Sequence, residues 1–231
     1  MIPLRDDNPS SIRPIVTYAL VGLCVLVFLW QMTLGERGQA IVYALGVIPK
    51  VLLQDARLPP EIELVGPWTS VFTSMFLHGG FWHLIGNMLF LYIFGDNVED
   101  SMGHVRFVIF YLLCGVAAVF AQALPEPGST VPMIGASGAI SGVLGAYMLL
   151  YPHARVLVLI PLGFIMQTVR LPALWVLALW FGIQLFSNLL TQSAGGGGVA
   201  FRAHIGGFIA GMVLIPFLKS KNVRLWHPAR R

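Results

Sequence analysis

Residues 14–35 carry no Asp, Glu, Lys or Arg, and charge-free stretches of this kind recur along the chain. A helix needs about 20 mostly apolar residues to cross the hydrocarbon core of a bilayer. Composition leaves little choice but to use these stretches in that way. Of 231 residues, 57% are hydrophobic and only 10% are charged, whereas an average soluble domain has roughly 25% charged residues. So few charges cannot cover the surface of a soluble globular domain. Collagen, coiled coils and disordered chains are excluded too, because those classes are glycine-periodic, charge-patterned or apolar-poor. Cys24 and Cys114 are the only cysteines. Both lie in apolar runs and read as small buried hydrophobes.

The gaps between charges predict an all-α polytopic membrane protein with six spans, at about residues 14–34, 81–98, 105–124, 136–151, 171–191 and 202–218. All belong to one membrane domain covering 1–231. Residues 35–67, with Pro59-Pro60 and several charges, form an outward loop, and 219–231 form a basic tail. The first run lacks a small-residue cleavage site, so no cleaved signal peptide is expected. With six spans the termini share a side. That side holds ten of the 14 Lys and Arg residues, against Arg37, Lys50, Arg57 and Arg202 opposite. Basic loops stay in the cytoplasm, so both termini are expected there. The net charge of +4 then reads as membrane anchoring, not nucleic-acid binding. The absence of a targeting segment favours a bacterial plasma membrane.

The fourth span is short. Pro127, Gly128 and Pro132 keep its approach out of helix, and Pro152 ends it. A helix from about Ala136 has roughly 16 residues, or about 24 Å, against a core of about 30 Å. It must start below the outer surface, where irregular backbone survives only if buried in protein or lining a wet cavity. Gly135-Ala136-Ser137-Gly138 therefore sits at a helix N-terminus, whose free N–H groups can hold an anion.

Periodicity brings the other candidates to this point. Ser137, Ser141 and Gly145 share one face of the fourth span; His204, Gly207 and Gly211 share one face of the sixth. Small residues let helices approach closely in lipid, so these faces suit each other. A histidine beside a serine can take the hydroxyl proton and return it to a leaving group. In the second span His83 and Asn87 are four apart on one face, placing two neutral donors where an oxyanion would form. His78 and His83 are five apart, a poor chelating geometry, and no cysteine or carboxylate completes a zinc shell. Each motif alone reads as helix packing; three in order on three spans point to catalysis. Trp180 and Phe181 on the fifth span could seal it against the second, and Gly195–Gly198 loosens the loop that follows. That span and loop are therefore expected to be the movable element. A transporter would show paired repeats with interrupted helices, and none is evident.

The order His83-x-x-x-Asn87, Gly135-Ala136-Ser137-Gly138, then Ala203-His204-Ile205-Gly206-Gly207 with Gly211 resembles the rhomboid family of intramembrane serine proteases. The resemblance extends over essentially the whole chain and implies a six-helix rhomboid-like bundle. It implies Ser137 as nucleophile and His204 as base, without a triad aspartate. His83, Asn87 and the Ser137 N–H would assist the oxyanion, with Gly135 and Ala136 at the binding site. His78, Gly138, Ser141, Gly207 and Gly211 would shape it. The substrates implied are transmembrane proteins, cut in or beside their spans within the lipid bilayer, usually after a small residue, with no cofactor, metal or nucleic acid. The alternative is a non-catalytic rhomboid-like protein that binds transmembrane clients; it is disfavoured because such proteins generally lack the dyad. Where the family often has an aromatic one turn past the nucleophile, this chain has Ser141, and Trp68-Thr69 stands where Trp-Arg is common.

Overall fold

The computed structural model describes residues 1–162, 165–194 and 200–226; the side chains of 162, 165 and 191–194 are not described. Gly195–Gly198 and the tail beyond Trp226 lie outside this set.

The chain begins with strand β1 (Ile2–Asp6) and helix α1 (Ile15–Thr33). Residues 35–67 are more ordered than a loop. After a 3-10 turn at Gly35–Arg37 they form α2 (Gly38–Leu45) and α3 (Pro49–Leu53), and α4 (Pro67–Thr73) follows. Next come α5 (Phe81–Met102), α6 (His104–Ala123) and α7 (Ser137–Leu150). Strands β2 (Arg155–Leu162) and β3 (Ile165–Pro172) precede α8 (Ala173–Ala194) and α9 (Phe201–Leu218).

Four of these helices are long and apolar enough to cross a membrane: α1, α6, α8 over Ala173–Leu190, and α9. Their large side chains face outward, among them Leu26, Val105, Trp175 and Phe217. A surface so apolar requires lipid, and the protein is an integral membrane protein. α5 is as long, but its last turns carry Asp96, Glu99 and Asp100.

The shorter α7 sits at the centre. Residues Ala139 to Tyr147 are all buried, the mark of a helix enclosed on every side. Its closest neighbour is α9. A Cβ on Gly207 would overlap the Gly138 carbonyl oxygen, and one on Gly211 would lie 2.6 Å from the Gly142 Cα. Gly145 meets the Phe208 carbonyl in the same way. The close row on α7 is thus Gly138, Gly142 and Gly145. Gly145 is on the face the sequence suggests, while Ser137 and Ser141 lie one position beside the other two glycines of the row.

Glu99 fixes the start of α1. Pro14 offers that helix no side-chain cap. The buried Glu99 carboxylate accepts the N–H groups of Val16 (2.9 Å) and Thr17 (2.8 Å) and the Thr17 hydroxyl (2.7 Å). The helix N-terminus favours this negative charge.

The all-α expectation needs correcting. β1, β2 and β3 form an antiparallel three-stranded sheet in that order. Between Arg155 and Pro172 the run is rich in Val, Leu and Ile, residues that suit a pleated surface. In so apolar a chain that signal is submerged. Its other strand is supplied by the distant N-terminus.

The sheet carries a pH-sensitive contact. The Tyr147 hydroxyl donates to the Asp6 carboxylate. Burial pushes the Asp6 carboxyl up from 3.8 to about 7, and the Tyr147 hydrogen bond only partly opposes this. The folded value lies above the unfolded one, so folding takes up a proton between these limits. Stability is then greatest at the acid end of that window and falls as pH rises through it. Asp6→Asn is expected to remove this slope, raising the melting temperature in detergent at pH 8 far more than at pH 5. An equal change at both values would show that Asp6 titrates elsewhere.

Candidate active site

Gly135 sets up the site. Its φ is +120°, a region only glycine enters without strain, and its N–H donates to the Ser74 carbonyl at 2.9 Å. Just before it, Met133 pairs with Val47 through two backbone bonds of 2.7 and 3.0 Å. The chain is thereby turned into α7 at Ser137. Ala136, the residue before the helix, contributes no side-chain cap, so among the described residues the first N–H groups of α7 are left without a capping side chain.

His204 lies in the first turn of α9, and its Nε2 is 2.8 Å from Ser137 Oγ. On the other side of the ring, Nδ1 is 2.8 Å from Oε1 of Gln184 on α8. Sequence reasoning missed Gln184, because a single glutamine in an apolar helix has no motif. For Nε2 to accept the serine proton, Nδ1 must carry the ring hydrogen. Gln184 Oε1 stands where it can accept that hydrogen.

The Gly79 N–H donates to Nδ1 of His83 at 3.3 Å. This leaves the His83 hydrogen on Nε2. That nitrogen would stand 2.8 Å from a Cβ on Gly135, and Ser137 Oγ 3.7 Å from the same point. The glycine therefore leaves room where the His83 edge and the serine oxygen converge. Asn87 is buried, and its Nδ2 has no hydrogen-bond partner among the described residues. His78 stands behind His83, with ring centroids 5.2 Å apart. Its backbone is held from α1 by Gln31, which accepts the His78 N–H at 3.0 Å and donates to the His78 carbonyl at 3.3 Å. Ser141 donates to the Ser137 carbonyl at 2.6 Å, a bond within α7.

These groups open onto a cavity of about 930 Å³ that Ser137, His204, His83, Asn87, Trp180 and Gln184 line together. At its rim Arg202 and Glu126 form an ion pair of 2.6 Å. Trp180 touches Phe90 of α5, with centroids 6.4 Å apart, and also His204 at 6.0 Å. Phe181 stacks on Phe208 of α9 at 4.5 Å. Of the two aromatics, Trp180 is the one in ring contact with α5. Among the described residues no three His, Cys, Asp or Glu side chains converge as a metal site would require.

Residues 65–221 match the family model of the Rhomboid domain. The chain belongs to the rhomboid family. Among relatives in that family, Rhomboid protein 1, mitochondrial, of Saccharomyces cerevisiae is 34% identical over 151 residues, covering 63% of this chain and 39% of the yeast protein. Rhomboid protease GluP of Bacillus subtilis is 30% identical over 200 residues, 86% of this chain and 34% of GluP. Rhomboid protease AarA of Providencia stuartii is 26% identical over 158 residues, 62% of this chain and 56% of AarA. This rhomboid chain thus spans between a third and two fifths of the length of the first two.

Proposed function

We propose that the chain is an intramembrane serine endopeptidase that cuts peptide bonds in or near transmembrane segments of other membrane proteins. The observation that carries this reading is the 2.8 Å contact between Ser137 Oγ and His204 Nε2 at one cavity that both line. The bundle has six spans, α5 and α7 joining the four long apolar helices. At 14 residues α7 is about 21 Å long, so it starts below the surface and the cavity above it admits water. In a six-span bundle ten of the 14 basic residues would share the side of the termini, and the tendency of basic loops to stay in the cytoplasm supports both termini being there. The membrane is a bacterial plasma membrane, and the partners are lipid and transmembrane substrates.

His204 Nε2 takes the Ser137 proton as Oγ attacks the scissile carbonyl carbon. The resulting oxyanion is met by the unpartnered Asn87 Nδ2, the His83 Nε2–H and the free Ser137 N–H. Collapse expels the amine, which receives the proton from His204. A water deprotonated by the same nitrogen then hydrolyses the acyl-enzyme. Oxyanion donors aimed in advance are worth most where water is excluded. Asn87→Ala is therefore expected to lower turnover about 10²–10³-fold, with a smaller change in KM. Unchanged turnover in a cleavage assay would return Asn87 to a packing role.

The direct test is labelling of the detergent-purified protein with a fluorophosphonate probe. The wild type is expected to label and Ser137→Ala to remain unlabelled. A wild type that does not react, or a Ser137→Ala protein that does, would overturn the assignment.

A further inference from the structure

We propose that Gln184 is a positioning residue for His204, taking the orienting place that the dyad otherwise leaves empty; this rests on His204 being the base. The ring has two nitrogens, and the structure gives each one partner at 2.8 Å: Ser137 Oγ on Nε2 and Gln184 Oε1 on Nδ1. Imidazole has two neutral tautomers, and only the one with hydrogen on Nδ1 leaves a lone pair on Nε2. An amide oxygen at Nδ1 selects that tautomer and holds the ring plane. It still accepts the same hydrogen when the ring becomes imidazolium. Among the described residues no carboxylate bonds this ring, so a neutral dipole does the orienting.

The placement on α8 supports the assignment. Trp180 and Gln184 are four apart and share a face. Trp180 lies against the His204 ring (6.0 Å, 39° between planes) and against Phe208 (6.0 Å, 28°). His204 and Phe208 are likewise four apart on α9. The two helices meet residue for residue around the imidazole, with Gln184 at its edge and Trp180 at its side. Elsewhere α8 turns bulky apolar groups such as Trp175, Leu179 and Phe186 outward. Gln184 is thus a polar side chain on the inward face, and its oxygen is committed to His204.

A small soluble fluorophosphonate tests this, since its reaction requires the nucleophile and base but not the docking of a substrate helix. Gln184→Met keeps the length and loses the oxygen; Gln184→Glu keeps an oxygen acceptor and adds a charge. The other ionisable groups at the cavity are His83 and the Arg202–Glu126 pair, which both variants retain. Gln184→Met is expected to label about 10–100-fold more slowly, the scale on which a metal-bound histidine suffers when its second ring nitrogen loses its partner. Gln184→Glu is expected to recover the rate at alkaline pH, with the acid limb of its pH profile displaced upward because the carboxylate favours imidazolium. Wild-type labelling by Gln184→Met would overturn the proposal. So would equal slowing in both variants with an unmoved pH profile, which marks a packing defect. A wild type that does not label at all would instead remove the dyad on which the proposal rests.

Discussion

Ser137→Ala and His204→Ala are each expected to lower cleavage of a single-span reporter about 10⁴-fold or more, the scale seen when one member of a serine–base pair is removed. The double variant is expected to be no worse than either single, because under the proposed mechanism the two side chains perform one proton transfer between them. Both proteins should remain folded. Ser137 and His204 are only partly buried at the edge of the cavity, and the α7–α9 contact is made by other residues, Gly138, Gly142 and Gly145 on α7 and Gly207 and Gly211 on α9. The checks are product yield on gels and melting temperature in detergent. Cleavage by Ser137→Ala at the wild-type rate would mean that another group is the nucleophile.

The second large effect is structural. Gly211→Leu is expected to prevent recovery of folded, active protein. Its Cβ would lie 2.6 Å from both the Cα and the carbonyl carbon of Gly142. Those are backbone atoms of the central helix and cannot rotate aside, so α9 would have to move away from α7. Overpacking of an ordinary core costs about 1–3 kcal/mol, occasionally more; here the yielding partner is a main chain, so the upper end or beyond applies. Moving α9 also draws His204 away from Ser137. Two alanine substitutions serve as contrast. Gly22 in α1 and Gly182 in α8 have nothing within 4 Å of a new Cβ. At those positions alanine should be neutral or stabilising by about 0.5–1 kcal/mol through helix propensity. If Gly211→Leu melted with Gly22→Ala and kept its activity, the α7–α9 contact would be looser than a 2.6 Å approach to the Gly142 main chain requires.

Much of this arrangement is legible in sequence because lipid permits few solutions. Charge-free runs of fixed length give the long helices, and glycines and serines at helical spacing give the faces that meet. The close row nevertheless runs through Gly138 and Gly142, not Ser137 and Ser141. A face about 100° wide cannot be read to one residue. Other features escaped for reasons of distance. The strand partners of the β2–β3 hairpin come from residues 2–6. Glu99 caps a helix that begins more than eighty residues earlier. Gln31 holds His78 by its backbone, a bond that leaves no pattern in side-chain identity. Gln184 meets His204 only because α8 and α9 pack side by side.

A helix enclosed by protein has no need to match the thickness of the membrane around it. α7, with Ala139 through Tyr147 all buried, is such a helix. Changes in bilayer thickness act on lipid-facing helices, which respond by tilting; here these are the 18- to 20-residue apolar spans of α1, α6, α8 and α9. Of these, α9 is also bound to α7 through main-chain contacts at Gly207 and Gly211. The serine and histidine therefore move together when the outer helices tilt. Under the proposed function, lipids of different acyl length should alter how a substrate helix approaches the cavity while leaving the 2.8 Å spacing of Ser137 Oγ and His204 Nε2 as it was.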